Sequence, residues 1–186
     1  DLVVGTNTMP PEMWLKARAL CWTTGLFYFN KLLQIPMIIL CKEYGVDYGE
    51  ILQLLSEKFQ DYGRFPIFDD IRSLFIRTAQ GMREGREEFI HAPQWLDIWW
   101  PPEEYALIKL CAENKFDAFY KEAQEIISQF LSQTGKNVPA GLLRESMTLN
   151  RFLIKIPFQA EDIKIDLSYN IWDFYRGVLT GKDVFL

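Results

Sequence analysis

His91 is the only histidine in the 186 residues, so a serine or cysteine nucleophile with an imidazole base would have to use it. Such a pair needs the nucleophile within hydrogen-bonding reach of the ring. The sequence gives no sign that Cys111 or a serine lies so close, and a single histidine cannot build a histidine-rich metal site. We interpret His91 as a surface or hydrogen-bonded structural residue, and we assign the chain no catalytic residue and no metal ligand.

The three cysteines, Cys21, Cys41 and Cys111, are odd in number and lie far apart in the sequence. Each has apolar or helix-forming neighbours, which is typical of buried thiols. Free thiols are stable in a reducing compartment. The cysteines therefore predict a cytoplasmic protein.

Arg77, Arg83 and Arg86 surround two glycines, Gly81 and Gly85, near the middle of the chain. Their planar guanidinium groups could bind a carboxylate or phosphate of a substrate through paired hydrogen bonds. Glutamates at positions 84, 87 and 88 are interleaved with them, which favours a solvated surface whose charges neutralise one another. Both interpretations stay open at this stage.

Trp95, Trp99 and Trp100 form the densest tryptophan cluster of the chain. Large aromatic faces are suited to stacking against a planar ligand or packing against another domain. The segment from Met82 to Trp100 lacks helical periodicity, and functional residues often lie on such irregular backbone. Packing into the core is the alternative. We name Trp95, Trp99, Trp100, Arg83 and Arg86 as possible substrate or interdomain contacts.

Helix starts are marked twice by a double proline followed by an acid, at Pro10–Glu12 and Pro101–Glu103. The first helix should kink or restart near Pro36. From Tyr105 to Phe130 apolar residues step by threes and fours, which predicts one long helix. Further predicted helices begin near Asp47, Pro66, Pro139 and Ile171. Ile67, Ile71 and Leu74 lie on one stripe of the helix from Pro66, and Gly181 should end the last helix.

Strand-like alternation occurs near the end of the chain, in Phe152–Ile156 and again in Ile163–Leu167. The two runs could pair as an antiparallel hairpin across Pro157–Glu161, with Leu2–Val4 as a third strand. We therefore predict a mainly α fold, a multi-helix orthogonal bundle with a small β-hairpin near the C-terminus. Residues 1–186 should form a single helical domain.

Composition narrows the possible partners. A net charge of −5 and a pI near 5.0 argue against nucleic acid as a partner, because nucleic-acid-binding proteins concentrate lysine and arginine. The most apolar run, from Gly25 to Cys41, is interrupted by Asn30, Lys31 and Pro36, so we predict no membrane span. With 15% aromatic residues, the chain has either a large core or a broad apolar surface that another module covers.

Both ends of the chain carry recognisable sequence. LVVGT (residues 2–6) precedes a Met-Pro helix start, and an aromatic helix follows from Trp14. KEYGVDYGEIL (42–52) and DLSYNIWDFYRGVLTGK (166–182) complete the pattern. Together these pieces resemble the C-terminal region of cobalamin-binding radical S-adenosylmethionine proteins, including relatives of the anaerobic magnesium-protoporphyrin monomethyl ester oxidative cyclase. Residues 63–135 carry no such match.

In that family an upstream Rossmann-like domain holds cobalamin through a DxHxxG motif, and a partial barrel holds a [4Fe-4S] cluster through CxxxCxxC. Neither motif occurs here, and the cysteine spacing is wrong for a cluster. The resemblance thus implies that the [4Fe-4S] cluster, S-adenosylmethionine and cobalamin belong to a parent chain of oxidative cyclase or methyltransferase type. This chain begins with Asp1, and we expect it to be the C-terminal fragment of that enzyme.

The implied role is that of a non-catalytic accessory module, which caps the barrel and aids substrate selection. Its partners would be the upstream domains of the same chain. The alternative is a stand-alone helical binding or adaptor domain with an aromatic-lined groove. Exposed apolar patches would favour the accessory module, whereas a closed apolar cavity would favour the binding domain. An independent hydrolase is disfavoured because no nucleophile with a plausible base is visible.

Overall fold

The computed structural model describes residues 5–57, 63–155 and 162–186. Within these residues the chain forms eight α-helices, one π-helical turn and one two-stranded antiparallel hairpin. The prediction of a mainly α fold with a small β-hairpin is confirmed. Leu2–Val4, predicted as a strand, lies outside the described residues.

The elements follow one another along the chain as short helices joined by brief connections. In the first half these are α1 (Pro11–Thr24), the π-helical turn (Gly25–Phe29), α2 (Gln34–Tyr44), α3 (Tyr48–Ser56) and α4 (Pro66–Arg83). In the second half these are β1 (Ile90–Ala92), β2 (Ile98–Trp100), α5 (Pro102–Ala112), α6 (Phe116–Gln133), α7 (Ala140–Leu153) and α8 (Ile171–Thr180).

Both double prolines start helices as predicted, because α1 begins at Pro11 and α5 at Pro102. A proline in the first turn removes an amide that would have no helical acceptor. The same reasoning places Pro36 in the first turn of α2, where the predicted restart occurs.

Within the described residues no single helix is long and apolar enough to cross a membrane. The stretches Pro11–Phe29 and Gln34–Tyr44 satisfy that test only when joined across a bend.

The prediction of one long helix from Tyr105 to Phe130 is wrong. α5 ends at Ala112 and α6 begins at Phe116. Between them Asn114 adopts a left-handed conformation with φ of 52°, which asparagine tolerates better than most residues. The apolar spacing continues through the break, so periodicity alone could not reveal it.

The hairpin also lies elsewhere than predicted. Phe152 belongs to α7, whose apolar residues keep the helical period to Leu153, and residues 162–167 form no strand. Ile156 and the predicted turn at Pro157–Glu161 lie outside the described residues. The observed hairpin pairs β1 with β2, and two left-handed residues, Leu96 (φ 63°) and Asp97 (φ 54°), help to close its turn.

The contacts divide the chain into two compact units, each drawn from two stretches of sequence. Unit 1 comprises Asp1–Asn30 and Leu52–Lys115, and unit 2 comprises Lys31–Ile51 and Phe116–Leu186. The chain therefore passes between the units three times. That residues 1–186 form a single domain stays a prediction.

In unit 1, α1 packs on α4, and α5 packs on α4 and the π-helical turn. Aromatic pairs fill the core: the rings of Trp22 and Phe75 lie 5.8 Å apart, and those of Phe27 and Phe68 stack at 5.5 Å. Such pairs stabilise a core beyond the area that they bury. This packing fixes the positions of the helices in unit 1, so that α4 and α5 can form a surface site between them.

In unit 2, α2 packs on α7 and α8, and α6 packs on α7. Buried polar side chains join these helices: Tyr120 donates to the carbonyl of Leu32 at 2.6 Å, and Tyr175 bonds the Gln34 side chain at 2.6 Å. Burial raises the pKa of Tyr120, so its hydroxyl keeps its proton and remains a donor. These bonds satisfy polar groups that would otherwise be costly to bury.

Candidate functional site

The best-formed concave site of unit 1 lies between α4 and α5. We call it the α4–α5 pocket; its volume is about 290 Å³. Apolar and aromatic side chains from one face of each helix form most of its surface. They are Ile67, Ile71, Leu74, Tyr105, Ala106 and Leu110. The α4 members are spaced by four and three residues, which is the helical stripe that the sequence predicted.

Charged side chains surround the apolar part of this pocket. They are Asp70, Arg77, Lys109, Glu113 and Lys115. The set holds three cations and two carboxylates, so the pocket carries a net positive charge within an acidic chain.

Glu113 is held by both lysines of the pocket, because Lys109 Nζ lies 2.7 Å from one carboxylate oxygen and Lys115 Nζ lies 2.6 Å from the other. These hydrogen bonds lower the pKa of Glu113, first through Lys109 and then through Lys115. Among the described residues no carboxylate forms an ion pair with Arg77. Arg77 is therefore the cation of the pocket that is best placed to meet an external anion.

A shallower recess continues along α4 beyond the pocket. We call it the Arg86 recess, and its residues include Leu74 and Arg77, which it shares with the pocket, as well as Arg86 and Phe89. The Arg86 guanidinium lies over Gly81, where an added Cβ would come within 3.0 Å of Nε. Arg86 also pairs with Glu84 at 2.5 Å, as expected for a self-neutralising surface. The recess is more open to solvent than the pocket.

The hairpin divides its side chains between two faces, as strand alternation requires. On one face Ala92 is fully buried and lies opposite Ile98. On the other, which we call the outer face (Phe89, His91 and Trp99), His91 lies opposite Trp99 and the two rings stack at 4.9 Å. Trp99 is 53% exposed and Phe89 48% exposed. The outer face thus presents aromatic surface to solvent.

The predicted contact residues do not form one site. Trp99 lies on the outer face, while Trp95 is half-buried and packs on Tyr105 of the α4–α5 pocket at 5.1 Å. Trp100 donates its indole N–H to the carbonyl of Trp95 at 3.4 Å. Trp99 is therefore exposed, whereas Trp95 and Trp100 pack against neighbouring groups.

The two predicted arginines also differ in their surroundings. Arg86 lines the recess, whereas Arg83 is exposed at the end of α4 and lines neither the pocket nor the recess. The sequence indicates Arg77, with Arg83 and Arg86, as a possible anion-binding residue, but it gives no signal for Lys109 beyond its place beside an apolar stripe. Only the packing of α4 on α5 shows that Arg77 and Lys109 share a pocket.

Other titratable groups of unit 1 lie apart from the pocket. His91 Nε2 bonds an oxygen of Asp97 at 2.8 Å on the exposed hairpin. Burial raises the pKa of Glu103, and one oxygen of its carboxyl group is buried without a hydrogen-bond partner in the described part of the chain. Within residues 5–57, 63–155 and 162–186, no group of three or more His, Cys, Asp or Glu side chains could hold a metal ion.

The cysteines are free thiols in the described residues: Cys21 is exposed, while Cys41 and Cys111 are half-buried. Burial raises the pKa of Cys41 to about 11, which makes it a poor nucleophile at neutral pH. The prediction that all three cysteines are buried is thus wrong for Cys21, which projects from α1.

Comparison of the chain with protein-family models, with curated proteins and with solved structures found no match.

Proposed function

We propose that this chain is a non-catalytic accessory module of a cobalamin-dependent radical S-adenosylmethionine enzyme, in which it caps the barrel and aids substrate selection. The resemblance of residues 2–6, 42–52 and 166–182 suggests the parent enzyme. The aromatic surface of unit 1 supports a docking role. A cap of this kind would keep water from radical intermediates.

The observation that carries the proposal is the apolar exposure around the hairpin. Besides Trp99 and Phe89, Leu96 is 81% exposed and Ile98 is 41% exposed. Exposed aromatic surface of this kind is typical of protein interfaces, where aromatic anchors supply much of the binding energy. We therefore infer that the outer face packs against an upstream domain of the same chain.

The cofactors of the proposed enzyme, a [4Fe-4S] cluster, S-adenosylmethionine and cobalamin, would be held by the upstream domains. No residue of this chain is assigned to them. We propose a cytoplasmic location, which free thiols would support because such thiols are stable in a reducing compartment.

The source DNA provides the first test. The reading frame that precedes the Asp1 codon should encode CxxxCxxC and, before it, a cobalamin-type domain. An initiation codon directly before Asp1, with no upstream domain in frame, would overturn the accessory role.

The docking surface can be tested by producing the upstream domains and this chain as separate proteins and measuring their association by calorimetry. Trp99→Ala should weaken the association by about 2 kcal/mol, the loss expected for a central aromatic anchor. Trp172→Ala is the matched control, because Trp172 is exposed to a similar extent, 42%, but belongs to unit 2. Equal effects of the two substitutions would contradict the assigned surface.

Iron analysis of the isolated chain adds an independent check. After anaerobic reconstitution with iron and sulfide, we expect no stoichiometric cluster, because the cysteines are too far apart in sequence to form CxxxCxxC. A stoichiometric [4Fe-4S] absorption spectrum would refute the assignment of the cluster to the upstream domains.

The second candidate is a stand-alone helical binding or adaptor domain. The α4–α5 pocket favours it, because an apolar concavity with a few polar groups is the usual form of a small-molecule site. The wall of this pocket is mainly aliphatic with one aromatic ring, Tyr105, whereas the sequence suggested an aromatic-lined groove.

A further inference from the structure

We propose that the α4–α5 pocket binds a small organic monocarboxylate, a molecule with an apolar body and one anionic end. This inference deepens the second candidate function by naming the chemical class of its ligand. It uses residues of unit 1 alone and none of the outer face of the hairpin, so it can hold or fail independently of the docking role.

The apolar part of the pocket specifies the body of the ligand. Ile71 and Ile67 are buried on α4, and Leu110 and Ala106 are buried on α5, so the wall that they form is fixed by packing. Burying an aliphatic or aromatic body against this wall removes apolar surface from water on both sides. At about 290 Å³ the pocket lies at the lower end of the range for small-molecule sites, which favours a small ligand over a peptide segment.

The charged part of the pocket specifies an anionic end. Three cations face two carboxylates, and Glu113 already engages Lys109 and Lys115. Arg77 lies three residues beyond Leu74 on α4, so its guanidinium is at the boundary between the apolar wall and solvent. A guanidinium binds a carboxylate through two parallel hydrogen bonds. A ligand that buries its body against Leu74 can thus present its carboxylate to Arg77.

The same charges select against other head groups. The net positive charge of the pocket would repel an amine, and Asp70 and Glu113 offset part of the attraction that a phosphate dianion would gain from the three cations. A monoanion gains attraction to Arg77 while adding the least repulsion from the two carboxylates. Carboxylate is therefore the head group that the pocket suits best.

Three probes that share one alkyl chain test the proposal on the 186-residue chain. Octanoate, octanol and octylamine differ only in the charge of the head group, and heteronuclear NMR titration reports both affinity and location. We expect octanoate to bind most tightly and octylamine least tightly. Amide shifts should concentrate in α4 and α5.

Two arginine substitutions on the same helix supply the matched variants. Arg77→Gln should weaken octanoate binding about three- to fivefold, the loss of one partly solvated charge pair, and should leave octanol binding unchanged. Arg83→Gln removes the same charge from an exposed position outside the pocket and should change neither affinity. Both sites are exposed, so neither substitution should disturb folding.

Three results would overturn the inference. One is that octanoate binds no more tightly than octanol, which would mean an apolar surface without anion preference. The second is that the shifts fall outside α4 and α5. The third is that Arg83→Gln weakens octanoate as much as Arg77→Gln, which would mean general electrostatic attraction. None of these results bears on the Trp99 association test, so the two proposals can fail separately.

Discussion

The side-chain oxygen of Asn150 accepts a hydrogen bond from the backbone N–H of Ile35 at 2.9 Å, although the two residues are 115 positions apart in the sequence. Ile35 lies in the first turn of α2, where backbone amides have no helical acceptor. The Asn150 amide nitrogen also donates to the carbonyls of Lys31 and Leu32 at 2.7 and 2.8 Å. One buried side chain on α7 thus replaces the missing N-cap of α2.

Replacing Asn150 by alanine should destabilise the protein by about 2–3 kcal/mol, because it leaves the buried Ile35 amide and the Leu32 carbonyl with fewer partners. Urea unfolding monitored by circular dichroism would measure the change. Thr148→Ala on the same helix is the control, because its hydroxyl bonds only the Arg144 carbonyl within α7; that change should stay within about 0.5 kcal/mol. Similar losses for both variants would contradict the capping role.

Gly177 in α8 lies against the end of the chain. A Cβ at this position would meet Val184 Cγ2 at 2.7 Å and the Lys182 carbonyl oxygen at 2.9 Å. Gly177→Ala should therefore destabilise the protein by about 1–3 kcal/mol through overpacking, even though alanine is the better helix former. Thermal unfolding of the purified variant would show the loss as a lower melting temperature.

Gly141 in α7 provides the matched glycine. Its Cβ would lie 3.6 Å from the Tyr169 ring, which is ordinary van der Waals contact. Gly141→Ala should then be neutral or should stabilise the protein by up to about 1 kcal/mol, the usual gain in helix propensity. If both substitutions stabilise the protein, the packing of residues 182–184 against α8 is wrong.

Local chemistry predicted much of the fold. The double proline at Pro10–Pro11 and the stop at Gly181, which is left-handed with φ of 68°, mark element boundaries through conformational preferences of single residues. The break at Asn114 and the true end of α7 could not be predicted, because the apolar spacing around them suits either a continuous helix or a strand. Tertiary packing decides such cases.

The candidate site was only partly predictable for a related reason. The tryptophan cluster drew attention to Trp99 and Trp95, but sequence order does not show which side chain faces solvent and which packs inward. The α4–α5 pocket depends on how far α5 is displaced along α4. That displacement is set by packing against α1 and the π-helical turn, so Arg77 and Tyr105 could not be joined from spacing alone.

Glu103 should make the free energy of unfolding depend on pH. Burial first, and then the nearby charges of Glu104 and Glu88, raise the pKa of the Glu103 carboxyl group. The native state therefore holds this proton more tightly than the unfolded state, and the associated stability is lost as pH rises through the raised pKa. Glu103→Gln should increase the free energy of unfolding more at about pH 7 than at about pH 4.

Glu12→Gln is the control for this prediction, because Glu12 is exposed in the first turn of α1 and does not contribute to the raised pKa of Glu103. Urea unfolding of both variants and of the wild type at each pH would give the differences. A Glu103→Gln effect that is the same at both pH values would show that the native state does not disfavour the charged carboxylate.

Cys41 and Cys21 should differ in their reactivity towards alkylating reagents, because their surroundings differ. Burial raises the pKa of Cys41 to about 11 from an ordinary value of 9.0, and only the thiolate attacks an alkylating reagent. Cys21 is exposed on α1. Iodoacetamide at neutral pH should therefore label Cys21 first, and quantitative mass spectrometry of the peptides would follow both sites.

The same shift predicts how stability depends on alkaline pH. The folded pKa of Cys41 is raised, so the stability that its protonated thiol contributes is present below about pH 9 and is lost as pH rises towards about pH 11. Cys41→Ala should abolish that part of the decline, and Cys21→Ala, which removes an exposed thiol, is the control substitution. Measuring unfolding free energies of the three proteins across this range separates the thiol from the tyrosines that also titrate there. Equal slopes for the wild type and Cys41→Ala would mean that the buried thiol does not govern alkaline stability.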